Sequence, residues 1–223
     1  MEIIDLTEGE VVDVELQDDL FAKNRELALA NRKVLDKNNI FSFDIMGSVG
    51  SGKTSLIENM TQMLKRKYKI GVIAGDVTTE IDAQRIEDKG AEVVQIHTQG
   101  GCHLDSHIVG IALNKLSLSN IDILFIENVG NLICPAEFPV GAHKRLVVIS
   151  VTEGPYMVVK HPFMFREADI VAINKIDLAV SMKVDPDQLS RDLLDIKKDI
   201  KVFKISCITG EGVGDIIKCM NFQ

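Results

Sequence analysis

The chain has 223 residues, enough for one domain whose core needs no disulfide or structural metal. Its 33 acidic and 25 basic residues give a net charge of −8, which argues against binding to the phosphate backbone of nucleic acids. No apolar run approaches the roughly 18 residues of a membrane span, and the acidic N-terminus does not resemble a secretion signal. We therefore expect a cytoplasmic protein with reduced cysteines and with neither nucleic acid nor a membrane among its partners.

The N-terminal part of the chain is predicted to be an arm at residues 1–17, followed by a helix at residues 18–37. The arm alternates apolar and acidic residues. In the helix, apolar and small residues recur at three- and four-residue steps: Leu20, Leu27, Ala28, Asn31, Val34 and Leu35. We assign residues 18–223 to a single domain that includes this helix.

Short apolar runs then alternate with helical patterns. The runs predict strands at 40–46, 70–74, 93–96, 121–126, 146–151, 170–173 and 202–205, and the intervening patterns predict helices at 53–67, 79–89, 104–118 and 186–198. Most strands are apolar on consecutive residues, as is typical of strands buried on both faces. The alternation predicts an α/β fold with a mostly parallel central sheet and helices on both faces.

The first predicted strand runs into a phosphate-binding motif, G-x-x-x-x-G-K-[ST]. Its residues are Gly47, Ser48, Val49, Gly50, Ser51, Gly52, Lys53 and Thr54, followed by Ser55. The glycines let backbone N–H groups point at phosphate oxygens, and the N-terminus of the next helix adds a positive dipole. We expect Lys53 to contact the β- and γ-phosphates and the Thr54 hydroxyl to bind Mg²⁺. The alternative is a glycine-rich turn that binds nothing.

A second motif indicates which base is bound. Asn174, Lys175 and Asp177 form an N-K-x-D pattern directly after the strand predicted at 170–173, at the edge where open α/β sheets bind ligands. The Asp177 carboxylate can accept hydrogen bonds from N1–H and the exocyclic amine of guanine, whereas adenine offers neither donor at that edge. A charge left unpaired in this way is costly, so the motif predicts GTP rather than ATP.

The last predicted strand ends in a segment that resembles the fifth G-box of GTPases, which packs on the base. We expect Ser206 and Cys207 to take this position. A plain strand-to-helix turn is the equally simple alternative.

Two acidic residues end predicted strands near the P-loop. Glu127 begins Glu127-Asn128-Val129-Gly130, where ordinary G proteins carry D-x-x-G. We expect Glu127 to hold Mg²⁺ directly or through water and the Gly130 N–H to reach the γ-phosphate. Asp76 is expected to bind Mg²⁺ or to orient the attacking water. The alternatives are a solvated loop acid at Glu127 and a helix N-cap at Asp76.

Cysteine and histidine suggest a second, softer metal site. Cys102 and His103 follow two glycines, His107 lies one helical turn beyond His103, and Cys134 follows the Glu127 loop. Loops after neighbouring strands can bring Cys134 toward Cys102. Two thiolates with one or two imidazoles suit Zn²⁺ or Ni²⁺. Scattered residues without a metal are the alternative.

At this point the chain resembles a known family. The string I-E-N-V-G-N-L-I-C-P at residues 126–135, with Cys102-His103 upstream and the N-K-x-D motif downstream, is similar to the HypB family, GTPases that help insert nickel during hydrogenase maturation. The resemblance covers roughly residues 20–220. It implies a GTPase of the SIMIBI class, a homodimer when GTP is bound, and metal binding by Cys102, His103 and Cys134, with His107 as a further ligand.

The resemblance also implies partners: a companion nickel metallochaperone and the precursor of the hydrogenase large subunit. The related urease accessory GTPases carry C-P-H where this chain has Cys134-Pro135-Ala136, which favours the hydrogenase member. Some relatives have an N-terminal cysteine motif or a histidine-rich stretch, and this chain has no Cys or His before His97. We therefore expect transient metal binding rather than storage. The alternatives to this function are a urease-type nickel accessory GTPase and a P-loop small-molecule kinase.

Overall fold

The structure, a computed structural model, describes residues 8–76, 81–98 and 101–220. The side chains of residues 8–18 and of Asp76 lie outside this description. Within the described residues, seven parallel strands form one sheet in the order β3-β2-β4-β1-β5-β6-β7. The strands are β1 Phe41–Met46, β2 Ile70–Asp76, β3 Glu92–His97, β4 Ile123–Glu127, β5 Lys144–Ser150, β6 Ile170–Asn174 and β7 Lys201–Lys204.

Ten α-helices connect or flank these strands in the described part of the chain. They are α1 Glu8–Lys37, α2 Lys53–Leu64, α3 Ile81–Glu87, α4 Ser106–Leu113, α5 Cys134–Glu137, α6 Met157–Lys160, α7 Pro162–Arg166, α8 Ala179–Met182, α9 Pro186–Ile196 and α10 Val213–Cys219. The predicted α/β fold with a parallel sheet is confirmed.

Apolar residues on consecutive strand positions face opposite layers of helices. Val148 packs in the cluster that includes the α2 and α10 side chains, whereas its neighbour Val147 packs with α6, α7 and α9. A third cluster joins β2 and β4 to α1 and α4. This two-sided burial explains the unbroken apolar runs in the sequence.

The strand register determines where the site forms. Ile45, near the end of β1, pairs with Glu127 at the end of β4, and Ser150 at the end of β5 pairs with Asn174. The loops after these strands, which carry the predicted motifs, therefore meet at the carboxyl edge of the sheet.

Several predicted boundaries shift. Helix α1 begins at Glu8, ten residues before the predicted start, so residues 8–17 are helical; residues 1–7 lie outside the described residues. The helix predicted at 104–118 ends at Leu113 and is followed by a 3-10 turn at Leu118–Asn120. The helix predicted at 79–89 is α3, and positions 79 and 80 lie outside the described residues.

Helix α1 is anchored by buried asparagines as well as by apolar side chains. Leu20, predicted to face the core, is 64% exposed, whereas Asn24 is buried. Asn24 accepts from the Ser106 N–H and donates to the Pro139 carbonyl, and Asn31 donates to the carbonyls of Ser106 and Val140. The helix therefore holds the start of α4 and the 139–142 loop in place. Among the described residues, no helix is both long and apolar enough to cross a bilayer.

Candidate nucleotide and metal site

The P-loop wraps between β1 and α2 in a backbone conformation that requires glycine. Gly52 has a φ of 101°, and a Cβ there would lie 2.2 Å from Asn174 Nδ2. Lys53 Nζ donates to the carbonyl oxygens of Gly47 at 3.2 Å and Ser48 at 3.1 Å. The ammonium is therefore held against the loop that would cradle the phosphates.

The predicted Mg²⁺ ligands Thr54 and Glu127 meet in the structure. Thr54 Oγ1 donates to Glu127 Oε1 at 2.6 Å, and both residues are buried. A hydroxyl beside a carboxylate is the oxygen donor set that Mg²⁺ takes in P-loop proteins. Asp76 is the last residue of β2, but its side chain lies outside the described residues, so its predicted role stays a prediction.

Gly130 brings the loop after β4 directly onto the P-loop. A Cβ at Gly130 would lie 3.0 Å from the backbone nitrogen of Val49. Asn131 adds a bridge, because its N–H donates to the Gly47 carbonyl at 3.1 Å. We refer to residues 127–134 as the switch loop.

A cavity of about 370 Å³ opens between the P-loop, the switch loop and α3. Its lining residues are Val49, Gly50, Gly52, Lys53, Thr54, Ser55, Ala74, Gly75, Asp82, Arg85, Gln95, Glu127, Asn128, Gly130 and Lys175. Most predicted phosphate-site residues, including Ser55, therefore border one space.

The base-binding motif lies against the P-loop. Asn174 is buried and donates from Nδ2 to the Ser51 carbonyl at 2.9 Å. Lys175 adopts a left-handed backbone with φ of 61° and donates from Nζ to the Gly50 carbonyl at 2.7 Å. Asp177 is exposed in a 3-10 turn after β6, with its carboxylate open to a ligand.

The segment after β7 joins the base-binding motif. The Cys207 N–H donates to Asn174 Oδ1 at 3.1 Å, and Ser206 is fully buried. Burial raises the pKa of the Cys207 thiol to about 11, so this thiol stays protonated at neutral pH. Ser206 and Cys207 are thus in the position expected of a base-packing loop, and their contact with a base stays a prediction.

The thiols of Cys102 and Cys134 and the imidazole of His103 converge. One donor atom from each lies within 4.8 Å of the others, and Cys102 Sγ is 3.4 Å from His103 Nδ1. Two sulfurs and one nitrogen are a donor set for Zn²⁺ or Ni²⁺. The fourth predicted ligand, His107, is outside this cluster: it is exposed on α4, beside Leu27 and Val34 of α1.

The surroundings of His103 and Cys102 favour their neutral forms. His103 stacks on Phe138 with ring centroids 4.0 Å apart, and Phe138 contacts Phe21 of α1. Burial lowers the pKa of His103, which keeps the imidazole in the form that binds metals. A hydrogen bond with Cys134 raises the pKa of the Cys102 thiol.

The route by which the two cysteines meet differs from the prediction. They follow β3 and β4, which are not neighbours, because β2 lies between them. The loop after β3 crosses the end of β2 at Gly75, where a Cβ would lie 2.8 Å from the Leu104 side chain. A side chain at position 75 would therefore displace Leu104, the residue after His103.

A buried polar group lies beneath the switch loop. Asn128 is fully buried and donates from Nδ2 to Asp44 Oδ1 at 3.1 Å. The other carboxylate oxygen of Asp44 is 3.8 Å from Arg145 Nε. Burial raises the pKa of Asp44 to about 6, although Arg145 and Asn128 both lower it.

This raised pKa predicts a pH dependence of stability. Because the folded-state pKa is about 6 and the ordinary value is 3.8, protonated Asp44 stabilises the fold below pH 3.8, and that stabilisation is lost as pH rises through 6. Asp44→Asn cannot ionise at this position. The difference in free energy of unfolding between this variant and the wild type should therefore rise in favour of the variant by about 2 kcal/mol from pH 4 to pH 7. Urea unfolding at both pH values measures this gain, and a constant difference would contradict it.

Comparison with known proteins identifies the family. Residues 42–204 match the family model "CobW/HypB/UreG, nucleotide-binding domain". The chain is 49% identical over 205 residues to the probable hydrogenase maturation factor HypB of Methanocaldococcus jannaschii, covering 92% of this chain and 93% of that protein. The chain belongs to the HypB family.

Solved HypB structures share the fold. HypB from Archaeoglobus fulgidus superposes with a TM-score of 0.84 at 40% identity, covering 89% of this chain and 97% of that one. HypB from Helicobacter pylori, solved in complex with nickel, gives 0.83 at 33% identity, covering 90% and 97%. Some HypB relatives are longer: the chain covers 66% of the protein from Azotobacter vinelandii, at 40% identity over 90% of this chain. This chain is therefore a P-loop NTPase of the HypB fold.

Among the polar residues that border the nucleotide site of this HypB chain, Glu153 and Gln95 were not predicted. Ser48 Oγ donates to Glu153 Oε1 at 2.5 Å, and burial raises the pKa of Glu153. Gln95 lines the cavity, and both polar atoms of its side chain are buried without a hydrogen-bond partner among the described residues. The available signal for Gln95 was one polar residue in the otherwise apolar run that predicts a strand at 93–96.

Proposed function

We propose that this protein is a GTP-hydrolysing metallochaperone that delivers nickel during maturation of [NiFe] hydrogenase in the cytoplasm. The observation that carries the proposal is the switch loop itself. It starts at Glu127, which contacts Thr54 of the phosphate motif, and it ends at Cys134, which belongs to the Cys102 cluster. One short loop thus joins a nucleotide site to a soft-metal site.

The nucleotide chemistry follows from the P-loop and the base motif. Asp177 would select guanine, and Lys53 would stabilise charge on the phosphoryl group as water attacks the γ-phosphorus and GDP leaves. Mg²⁺, when bound, would neutralise charge on the β- and γ-phosphate oxygens. Thr54 and Glu127 would hold it, and Asp76 would either add a ligand or orient the attacking water.

The cluster of Cys102, His103 and Cys134 would hold the metal that is carried. Its donor set suits both Ni²⁺ and Zn²⁺, and nickel is favoured because the related HypB from Helicobacter pylori was solved in complex with nickel. Three donors from one chain leave coordination positions open. A symmetric dimer formed with GTP would bring two such sets together.

A transient site needs protein partners at both ends of the transfer. We infer a companion nickel metallochaperone as donor or acceptor and the precursor of the hydrogenase large subunit as the final target. The urease-type alternative is less favoured because Ala136 stands where the urease accessory proteins have histidine. A small-molecule kinase is less favoured because the Asn174 motif is built for guanine.

Nucleotide titration and turnover assays test the proposal together. We expect GTP to bind at least about 100-fold more tightly than ATP, and GTP to be converted to GDP and phosphate without a second substrate. Equal affinity for GTP and ATP, or phosphate transfer only to an added small molecule, would contradict it.

Loss of one thiolate should weaken metal binding. Cys134→Ala is expected to lower the affinity for Zn²⁺ or Ni²⁺ by at least about 10-fold, because a ligand contributes no less than the outer groups that support it. Competition with a chromophoric chelator measures the affinity. Cys219→Ala, at the end of α10 and outside the cluster, is the matched control and should bind metal like the wild type. Unchanged affinity in Cys134→Ala would refute the assigned site.

A further inference from the structure

Asn131 makes three hydrogen bonds in three directions. Its backbone N–H donates to the Gly47 carbonyl of the P-loop at 3.1 Å. Its side-chain nitrogen donates to the Cys102 carbonyl at 3.3 Å, and its side-chain oxygen accepts from the Ile133 N–H at 3.0 Å. One residue thus contacts the phosphate loop and the backbone at or beside both cysteines of the metal cluster.

Asn128 makes a second connection between the same loops. Its side-chain oxygen accepts from the Leu104 N–H at 2.9 Å and from the Val129 N–H at 3.0 Å. Leu104 follows Cys102 and His103 directly, and Val129 precedes Gly130. The segment that carries two metal ligands is therefore fastened to the switch loop by side-chain amides at both ends.

We propose that Asn131 is the positioning residue through which nucleotide binding changes the geometry of the Cys102 and Cys134 thiols, with Asn128 holding the register of the two loops. The inference rests on the proposed function, because it names how the nucleotide site regulates the metal site. It assigns no role in hydrolysis to either asparagine.

The covalent chain alone cannot supply this link. Cys134 is three residues from Asn131, but Cys102 lies on a separate loop, beyond β3 and the crossing over Gly75. A displacement of the P-loop or of Gly130 on GTP binding reaches Cys102 most directly through the Asn131 amide. Only a side chain that donates and accepts at once, and that reaches across the gap, can hold Cys102 and the turn before Cys134 together.

Asn131→Ser is expected to remove the side-chain bond to Cys102 and to keep the one to Ile133. A serine hydroxyl can still accept from the Ile133 N–H in a local turn, but it is too short to reach the Cys102 carbonyl. Asn131→Asp also keeps the acceptor and loses the donor, so it checks the result with a side chain of the original size. Asn114→Ser, an exposed asparagine after α4, is the matched control.

The test uses the metal-free protein. The rate of Cys102 alkylation by iodoacetamide is measured by mass spectrometry with GDP and with a non-hydrolysable GTP analogue, each at saturation for the variant concerned, and Cys219 serves as internal reference. In the wild type and Asn114→Ser, we expect the two nucleotides to change the rate by about 5-fold or more, the lower end of typical coupling between sites. In Asn131→Ser and Asn131→Asp, the ratio should fall to about 1 while thermal unfolding stays cooperative.

A wild-type nucleotide response that persists in both variants would overturn the role of Asn131. The role of Asn131 would also be overturned if the wild type hydrolyses GTP and binds metal but its Cys102 is alkylated at the same rate with both nucleotides. That result would leave the proposed function intact. A wild type that does not bind GTP would refute the proposed function itself.

Discussion

Lys53→Ala is expected to reduce the GTP turnover number by about 100- to 1,000-fold, the usual loss when one preorganised charge-stabilising group is removed. Lys53 is buried, and its ammonium lies 3.1 to 3.2 Å from two P-loop carbonyls. A phosphate in the loop would offer it oxygens that carry more negative charge. Alanine leaves the glycine-rich turn in place but removes the charge that follows the transferring phosphoryl group.

Single-turnover hydrolysis with saturating GTP measures this effect. Lys65→Ala, an exposed lysine at the end of the same helix, is the control and should keep wild-type turnover. We expect slow wild-type turnover, because no arginine finger is evident in the motifs. Arg85, the arginine that lines the cavity, is bound to Glu58 and Asp82. A wild-type rate near 10 s⁻¹ without a partner, about that of a GTPase assisted by an arginine finger, would show that a catalytic group has been overlooked.

Asp177→Asn should change the nucleotide preference. The wild-type carboxylate is exposed in the 3-10 turn after β6 and can accept from both guanine donors, so GTP affinity should fall about 100-fold or more in the variant. Xanthosine triphosphate should gain affinity, because its 2-oxo group can accept a hydrogen bond from the new amide. The motif surrounding Asp177 stays anchored by Asn174 and Lys175, so the change concerns recognition rather than folding.

Competition titrations with GTP, ATP and xanthosine triphosphate give this preference directly. Asp195→Asn, an exposed residue of α9, serves as the control and should leave all three affinities unchanged. If Asp177→Asn binds GTP as tightly as the wild type does, the Asp177 carboxylate does not recognise guanine.

The fold could be predicted because its signals are local. Each buried strand is an apolar run, and each site motif lies at a strand end, so the sequence order of elements was enough to place Lys53, Glu127 and Asn174 at one edge. Helix α9 begins at Pro186, as predicted, and Asp185 before it is the N-cap, since its side chain accepts from the Asp187 N–H.

Contacts between distant loops could not be predicted in the same way. The approach of Cys134 to Cys102 was predicted, but its route across the end of β2 at Gly75 was not, and neither were the hydrogen bonds of Asn128 and Asn131 between these loops. His107 is the opposite case, a predicted member of the metal cluster that lies outside it. Its spacing from His103 suits a shared helix face, but α4 begins only at Ser106, so His103 lies before the helix and the two side chains do not share a face.

In the N-terminal helix, the periodicity of apolar residues does not reveal the buried polar contacts. The sequence pattern placed Leu20 on the buried face, whereas the helix is held at this point by Asn24, which bonds to Ser106 and Pro139. Asparagine is rarely counted as a core residue, and its partners lie far away in sequence. The buried face of α1 was therefore only partly predicted.

The central claim is that the nucleotide and metal sites act on each other. Its most direct test is the affinity of the purified protein for Ni²⁺ or Zn²⁺, measured with GDP and with a non-hydrolysable GTP analogue, while sedimentation follows the association state. We expect metal affinity to differ by about 5-fold or more between the two nucleotides, and metal to shift the dimer equilibrium of the GTP form, as linkage between the sites requires. Equal metal affinity in both nucleotide states, with an association state that responds to neither ligand, would contradict the claim.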